Sequence, residues 1–174
     1  MRYEQLIWLA RVRKPKVLVE IGTHRGVRAQ ELKLYCVQYY GFDLWEEGND
    51  ETDAIERNGK GRSTMAEARL ALAGIEYELI RGNTRETLPE FVKRGIKVDF
   101  AFIDGGHSVE TIRSDWENVH LMMNPGGLVV FDDYYTPQVP GFGCNEIVKD
   151  LKHSILPRSD TFNDVAISLV KVSA

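Results

Sequence analysis

Short apolar runs that stop on a glycine or an acidic residue recur between helical stretches of this chain, and that alternation restricts its fold more than any other feature. Val17-Leu18-Val19-Glu20-Ile21 closes on Gly22, Val98-Asp99-Phe100-Ala101-Phe102-Ile103 ends on Asp104, and Leu128-Val129-Val130-Phe131 precedes Asp132-Asp133. Compact runs rich in β-branched and aromatic residues read as strands buried on both faces, the condition of a parallel sheet. Helical spacing fills the intervals. Ala29, Leu32 and Tyr35 follow the first run from Gly26, and Ile112, Trp116, Val119 and Met123 follow Ser108, which can cap that helix. The expected fold is therefore α/β: a Rossmann-like, doubly wound, mostly parallel sheet with helices on both faces.

The remaining elements fit the same plan. A short N-terminal helix is expected over 3–12, before Pro15, and a second strand over 37–43. Residues 45–62 are polar and read as a long mobile loop. Thr64 and Glu67 have capping-box spacing, so a helix should run to about Ala73. A strand over 76–81 and a helix over 84–93 come next. Asn124-Pro125-Gly126-Gly127 should stop the helix that Ser108 opens. Residues 144–153 read as helical, and 165–172 as a terminal antiparallel strand that residues 158–162 could pair. Nothing divides residues 1–174, which are expected to form one domain.

Composition excludes several classes. With 43% hydrophobic and 28% charged residues the chain is ordinary for a globular protein, and no apolar run is long enough to cross a bilayer. A net charge of −4 without a basic stretch argues against nucleic acid as a partner. Cys36 and Cys144 lack metal-ligand spacing and read as reduced thiols of a cytoplasmic protein.

In open α/β sheets, ligands bind beyond the carboxyl ends of the strands. Here Gly22 and Gly26, Asp43, Gly82-Asn83, Asp104 with His107, and Asp132-Asp133 follow successive strands. The loop from Glu20 to Gly26 would let the backbone pass close to a ligand and turn helix amides toward an anionic group, while lacking the spacing a dinucleotide pyrophosphate requires. Asp43 stands where a carboxylate can accept from ribose hydroxyls. Three carboxylates, Asp104, Asp132 and Asp133, repel one another unless a positive charge lies between them, and such a set suits magnesium, calcium or manganese. His107 could take a proton near neutral pH. Duller roles exist for each: tight turns for the glycines, a helix cap for Asp104, solvated strand ends for the other acids, a loop hydrogen bond for His107. Trp45, Tyr134, Tyr135 and Phe142 either stack on a ring substrate or pack.

The stretch Lys14 to Gly26 resembles motif I of class I S-adenosylmethionine-dependent methyltransferases. Asp104-Gly105-Gly106-His107-Ser108, with Asn124 to Asp133, resembles the metal-dependent O-methyltransferases of the catechol and macrocin types. The resemblance runs from about Leu9 to Asp133. It implies a cofactor set of Glu20, Gly22, Thr23, Gly26, Asp43, Gly82, Asn83 and Asp104, with Glu20 on the amino group, Asp43 on the ribose and Asn83 near the adenine. It implies a divalent ion, magnesium foremost, on Asp104, Asp132 and Asp133, with His107 and Asp104 as catalytic residues and a small-molecule hydroxyl as acceptor. Such relatives carry more chain before motif I, so a partner subunit of a homo-oligomer, the 45–62 loop or the 137–143 segment would have to close the site. A non-catalytic module that binds S-adenosylmethionine for a partner protein is the alternative.

Overall fold

The computed structural model describes residues 1–48 and 63–174. Seven strands, β1 (Val17–Ile21), β2 (Gln38–Asp43), β3 (Glu76–Arg81), β4 (Val98–Ile103), β5 (Met123–Thr136), β6 (His153–Phe162) and β7 (Val165–Ser173), form one sheet in the order β3-β2-β1-β4-β5-β7-β6. The first five run parallel, and β7 pairs antiparallel with both β5 and β6. The order reverses beside β1, whose two neighbours are β2 and β4, so the crevice of a doubly wound sheet opens at the carboxyl ends of these three strands.

Side-chain alternation along the central strands supplies two cores. Leu18, Phe100, Phe102, Leu128 and Val130 face one layer, where α1 (Tyr3–Arg13), α2 (Ala29–Leu32) and α3 (Met65–Leu72) contribute Leu6, Leu9, Ala10, Leu32 and Leu72. Val19, Ile21, Ala101, Ile103, Val129 and Phe131 face the other, built from α4 (Thr84–Val92), α5 (Val109–Met122) and α6 (Asn145–Val148) through Leu88, Phe91, Ile112, Val119 and Ile147. These residues are nearly all removed from solvent, as a sheet covered on both sides requires.

The helix ends are chemically defined. Thr64 and Glu67 form a reciprocal capping box on α3, Asn83 caps α4 through the Arg85 amide, and Ser108 caps α5 through the Thr111 amide. Asn163 and Asp164, both at positive φ, turn β6 into β7 as a two-residue hairpin loop.

Three elements differ from the sequence expectation. The helix expected from Gly26 is only Ala29–Leu32 followed by a 3-10 turn, because Gly26 sits at φ +77°, outside the right-handed helical region, and closes a turn to the Thr23 carbonyl at 2.8 Å. The helix expected over 144–153 is limited to Asn145–Val148, and His153 already pairs with Val172 in the hairpin. Residues 123–127, expected to end a helix and turn, are drawn into β5, where Met123 pairs with Val98 ahead of a register shift. Of the 45–62 loop, Trp45–Glu47 forms a 3-10 turn with Trp45 buried; residues 49–62 lie outside the described residues.

Candidate active site

The strand ends meet at the reversal in strand order. Gly22 and Thr23 donate their amides to the Phe42 carbonyl at 2.9 and 3.2 Å, and the Asp104 amide donates to the Ile21 carbonyl at 2.9 Å. β1, β2 and β4 are thereby joined one residue past their last pairs. Gly22 has φ +87°, and a Cβ there would lie 1.9 Å from the Asp104 carbonyl oxygen, so only glycine permits this approach. A Cβ at Gly26 would lie 2.4 Å from that of Ala71, which seats α3 directly on the loop.

Each expected cofactor residue lies on this rim, and several are already engaged. Asp43 accepts the His24 amide at 2.7 Å and the Trp45 amide at 3.0 Å, while the Trp45 indole donates to the His24 carbonyl at 2.8 Å. The loops after β1 and β2 are thus tied through one carboxylate. Gly82 donates its amide to the Asp43 carbonyl at 3.0 Å, bringing β3 and Asn83 to the same edge. Glu20 is buried beneath the loop and accepts the Tyr39 hydroxyl; burial and the Glu20 charge together push the Tyr39 phenol well up. Thr23, also buried, has its hydroxyl oxygen 3.5 Å from that of Tyr39.

The acidic residues divide between the two faces of β5. Asp104, His107 and Asp133 each offer a ligand atom within 4.8 Å of the others. His107 Nε2 lies 3.3 Å from Asp133 Oδ2, with both side chains nearly buried. Asp133 has φ +60°, a strained conformation for a residue with a Cβ, and its carbonyl accepts the Cys144 amide at 3.0 Å. The segment after β5 is pinned to the histidine loop, since Gly143 donates to the His107 carbonyl and Val109 to that of Gly141. Burial and the neighbouring Asp133 push the Tyr135 phenol far up.

Asp132 points to the α1 side and is bound there. Arg2 grips it with Nε and Nη2 at 2.8 and 2.9 Å, the Tyr3 hydroxyl donates to it at 2.6 Å, and the Asp133 amide donates at 2.8 Å. Burial alone would raise the Asp132 carboxyl, but Arg2, Tyr3 and the amide outweigh it and hold the group below the usual carboxylate range. The Tyr3 hydroxyl also lies 3.4 Å from Asp104 Oδ2, so it links the two acids across β4 and β5. The Tyr3 ring is itself stacked by the guanidinium groups of Arg28 and Arg2, 3.8 and 4.5 Å from its centroid.

A methyltransferase-domain family model matches residues 19–134. The chain belongs to the methyltransferase-domain family. Every site residue expected from the sequence of this methyltransferase domain, from Glu20 to Asp133, falls inside the matched span; Arg2, Tyr3 and Asp160 fall outside it. Among solved structures, the domain is similar to the O-methyltransferase TomG of Streptomyces achromogenes, determined with S-adenosylmethionine (TM-score 0.72, 18% identity, 98% of this chain and 78% of that one). It is also similar to an rRNA methylase of Streptococcus thermophilus (0.71, 16%, 99% and 96%) and to an O-methyltransferase of Bacillus cereus bound to S-adenosylhomocysteine (0.66, 15%, 98% and 79%). An uncharacterized protein of Acanthamoeba polyphaga mimivirus is 37% identical over 59 residues, 32% of this chain and 26% of that protein's length. These likenesses agree with the sheet order and antiparallel β7 in giving the class I methyltransferase fold.

Sequence reasoning missed the methyltransferase domain's Arg2–Tyr3 clamp, whose partner Asp132 lies 130 positions from Arg2, and the Tyr39 contact to Glu20 between neighbouring strands, since neither pairing leaves a periodic signal. A basic groove of about 520 Å³ opens at the opposite, amino-terminal edge of the strands among Arg13, Lys14, Lys16 and Lys97, away from all of these residues. No helix among the described residues is long and apolar enough to cross a membrane.

Proposed function

We propose that this domain is an S-adenosylmethionine-dependent O-methyltransferase that acts on a hydroxyl of a small molecule, a sugar, catechol or polyhydroxylated natural product, with the help of a divalent ion. The observation that carries the reading is the junction at Asp104. Its backbone packs against Gly22 in the cofactor loop, and its side chain belongs to the cluster with His107 and Asp133. A nucleoside pocket and a proton-accepting centre then share one residue.

The donor set fits a hard divalent cation. Asp104, Asp133 and His107 offer ligand atoms within 4.8 Å of one another, whereas Asp132, the third expected ligand, already accepts from Arg2, Tyr3 and the Asp133 amide on the other face of β5. Such an ion, held by Asp104 and Asp133, would orient an acceptor hydroxyl and lower its pKa. His107, backed by Asp133, receives the hydroxyl proton as the acceptor oxygen bonds to the methyl carbon and the carbon–sulfur bond breaks, which releases the thioether product. The rest is alignment of oxygen, methyl and sulfur, supplied by the welded strand ends.

Titration calorimetry with S-adenosylmethionine, followed by methyl transfer to catechols and sugars with magnesium or with chelator, tests the reading. Saturable binding and chelator-sensitive turnover are expected. A folded protein that binds no S-adenosylmethionine overturns it.

A further inference from the structure

α1 is apolar on two sides. Leu6, Leu9 and Ala10 face the core, none more than 6% exposed. Arg2 ties down the start of the helix by donating to Asp132 and, through Nη1, to Asp160 of β6 at 2.8 Å. At about 3.6 residues per turn, Glu4, Trp8, Arg11 and Val12 share the side turned away from the sheet, and all four are exposed. Trp8 is 59% and Val12 58% exposed, one turn apart. Apolar residues scattered singly over a surface are ordinary, but here a tryptophan and a valine form a stripe bracketed by charges of opposite sign. Glu4 stands one turn before Trp8 and Arg11 one turn after it, so acid and base lie about 10 Å apart along the axis. Glu4 Oε2 takes Arg158, and Arg11 has no ion-pair partner among the described residues.

We infer that this face of α1 is the contact of a homodimer, in which two copies of the helix pack antiparallel about a two-fold axis close to Trp8. A two-fold contact uses the same patch on both copies, so the patch must complement itself. Antiparallel packing does this: Glu4 of each copy comes level with Arg11 of the other, and the two indoles meet between the two charge pairs. Parallel packing sets Glu4 on Glu4 and Arg11 on Arg11, where like charges repel. The charges therefore fix the orientation, and burial of Trp8 and Val12 supplies the attraction. One helix face is smaller than the roughly 800 Å² per partner of a standard interface, so the dimer dissociates on dilution. Because Tyr3 reaches Asp132 and Asp104 from the inner side of the same helix, the second copy backs the element that holds those acids. The dimer goes beyond the reaction proposed above and does not depend on it.

Sedimentation velocity over a roughly hundredfold range of concentration tests the contact. The wild-type chain is expected to pass from monomer to dimer. Trp8→Gln, Arg11→Glu and Glu4→Arg are each expected to weaken association about tenfold or more. An equimolar mixture of the Arg11→Glu and Glu4→Arg chains is expected to recover it, since every facing pair in the mixed dimer is again opposite in charge. None of these side chains lies in the core, and circular dichroism of each variant verifies the fold. Should Glu4→Arg, which also gives up Arg158, fail to fold, Trp8→Gln and Arg11→Glu still decide. A wild-type chain that stays monomeric throughout, a dimer that Trp8→Gln or Arg11→Glu leaves unweakened, or a mixture that associates no better than its components overturns the proposal.

Discussion

The carboxylate of Asp43 accepts the backbone N–H of His24 at 2.7 Å, which makes a strand-end acid the fastener of a loop that begins at another strand. Its other oxygen takes the Trp45 amide, so one side chain sets the spacing of two loops on the cofactor rim. Asp43→Ala should therefore do two things at once. Loss of two charged hydrogen bonds should lower stability by about 2–4 kcal/mol, and S-adenosylmethionine affinity should drop at least tenfold. Denaturant titration and calorimetry measure the two separately; unchanged affinity would remove Asp43 from the cofactor site.

Gly22 and Gly74 both sit at positive φ, with very different surroundings. A methyl group at Gly22 runs into the Asp104 carbonyl, whereas one at Gly74 meets nothing within 4 Å. Gly22→Ala should cost about 2–6 kcal/mol, strain plus overpacking, and Gly74→Ala only about 1–3. Equal midpoints in urea would show that the weld between β1 and β4 is not as tight as described.

His107→Gln removes the proposed proton acceptor and leaves the glycine loop and Asp43 in place. Methyl transfer should slow by about 10²–10⁴-fold while S-adenosylmethionine binds as before. Single-turnover rates at saturating cofactor report the first quantity. A change smaller than tenfold would assign proton removal to another group.

Asp99 lies at the far edge of the sheet and tests stability alone. Its carboxylate accepts the Lys16 and Val17 amides at 3.0 Å each and the Asn124 side-chain amide at 2.8 Å. Partial burial pushes its carboxyl up, and the Asn124, Val17 and Lys16 hydrogen bonds outweigh this and hold it below the ordinary range. A depressed carboxylate contributes stability above its unfolded pKa, about 3.9, and loses that contribution as pH falls through the folded value. Asp99→Asn should be about 1–3 kcal/mol less stable at pH 7, and the gap should narrow below about pH 4. A gap independent of pH would mean that the charge of Asp99 contributes nothing.

How much of this was legible in the sequence depended on the range of the forces involved. β1 and β4 stand where their apolar runs placed them, because a strand buried on both faces leaves a continuous local signature. Thr64 and Ser108 cap helices where their spacing predicted starts, since capping is decided within four residues. Of residues 144–153, expected as helix, 145–148 are helical, and His153 is instead held by pairing with Val172 of β7, a partner no local rule reports. At the site, Asp104, His107 and Asp133 meet as the positions of their strands implied. Asp132 follows Phe131 onto the opposite face of β5, where its partner is set by α1, an element 130 positions away.

Arg2 and Asp160 are separated by 158 positions, and their ion pair closes a loop that holds all five parallel strands. Closing so long a loop costs more entropy than any local contact, so this bridge locks a sheet already assembled and does not nucleate it.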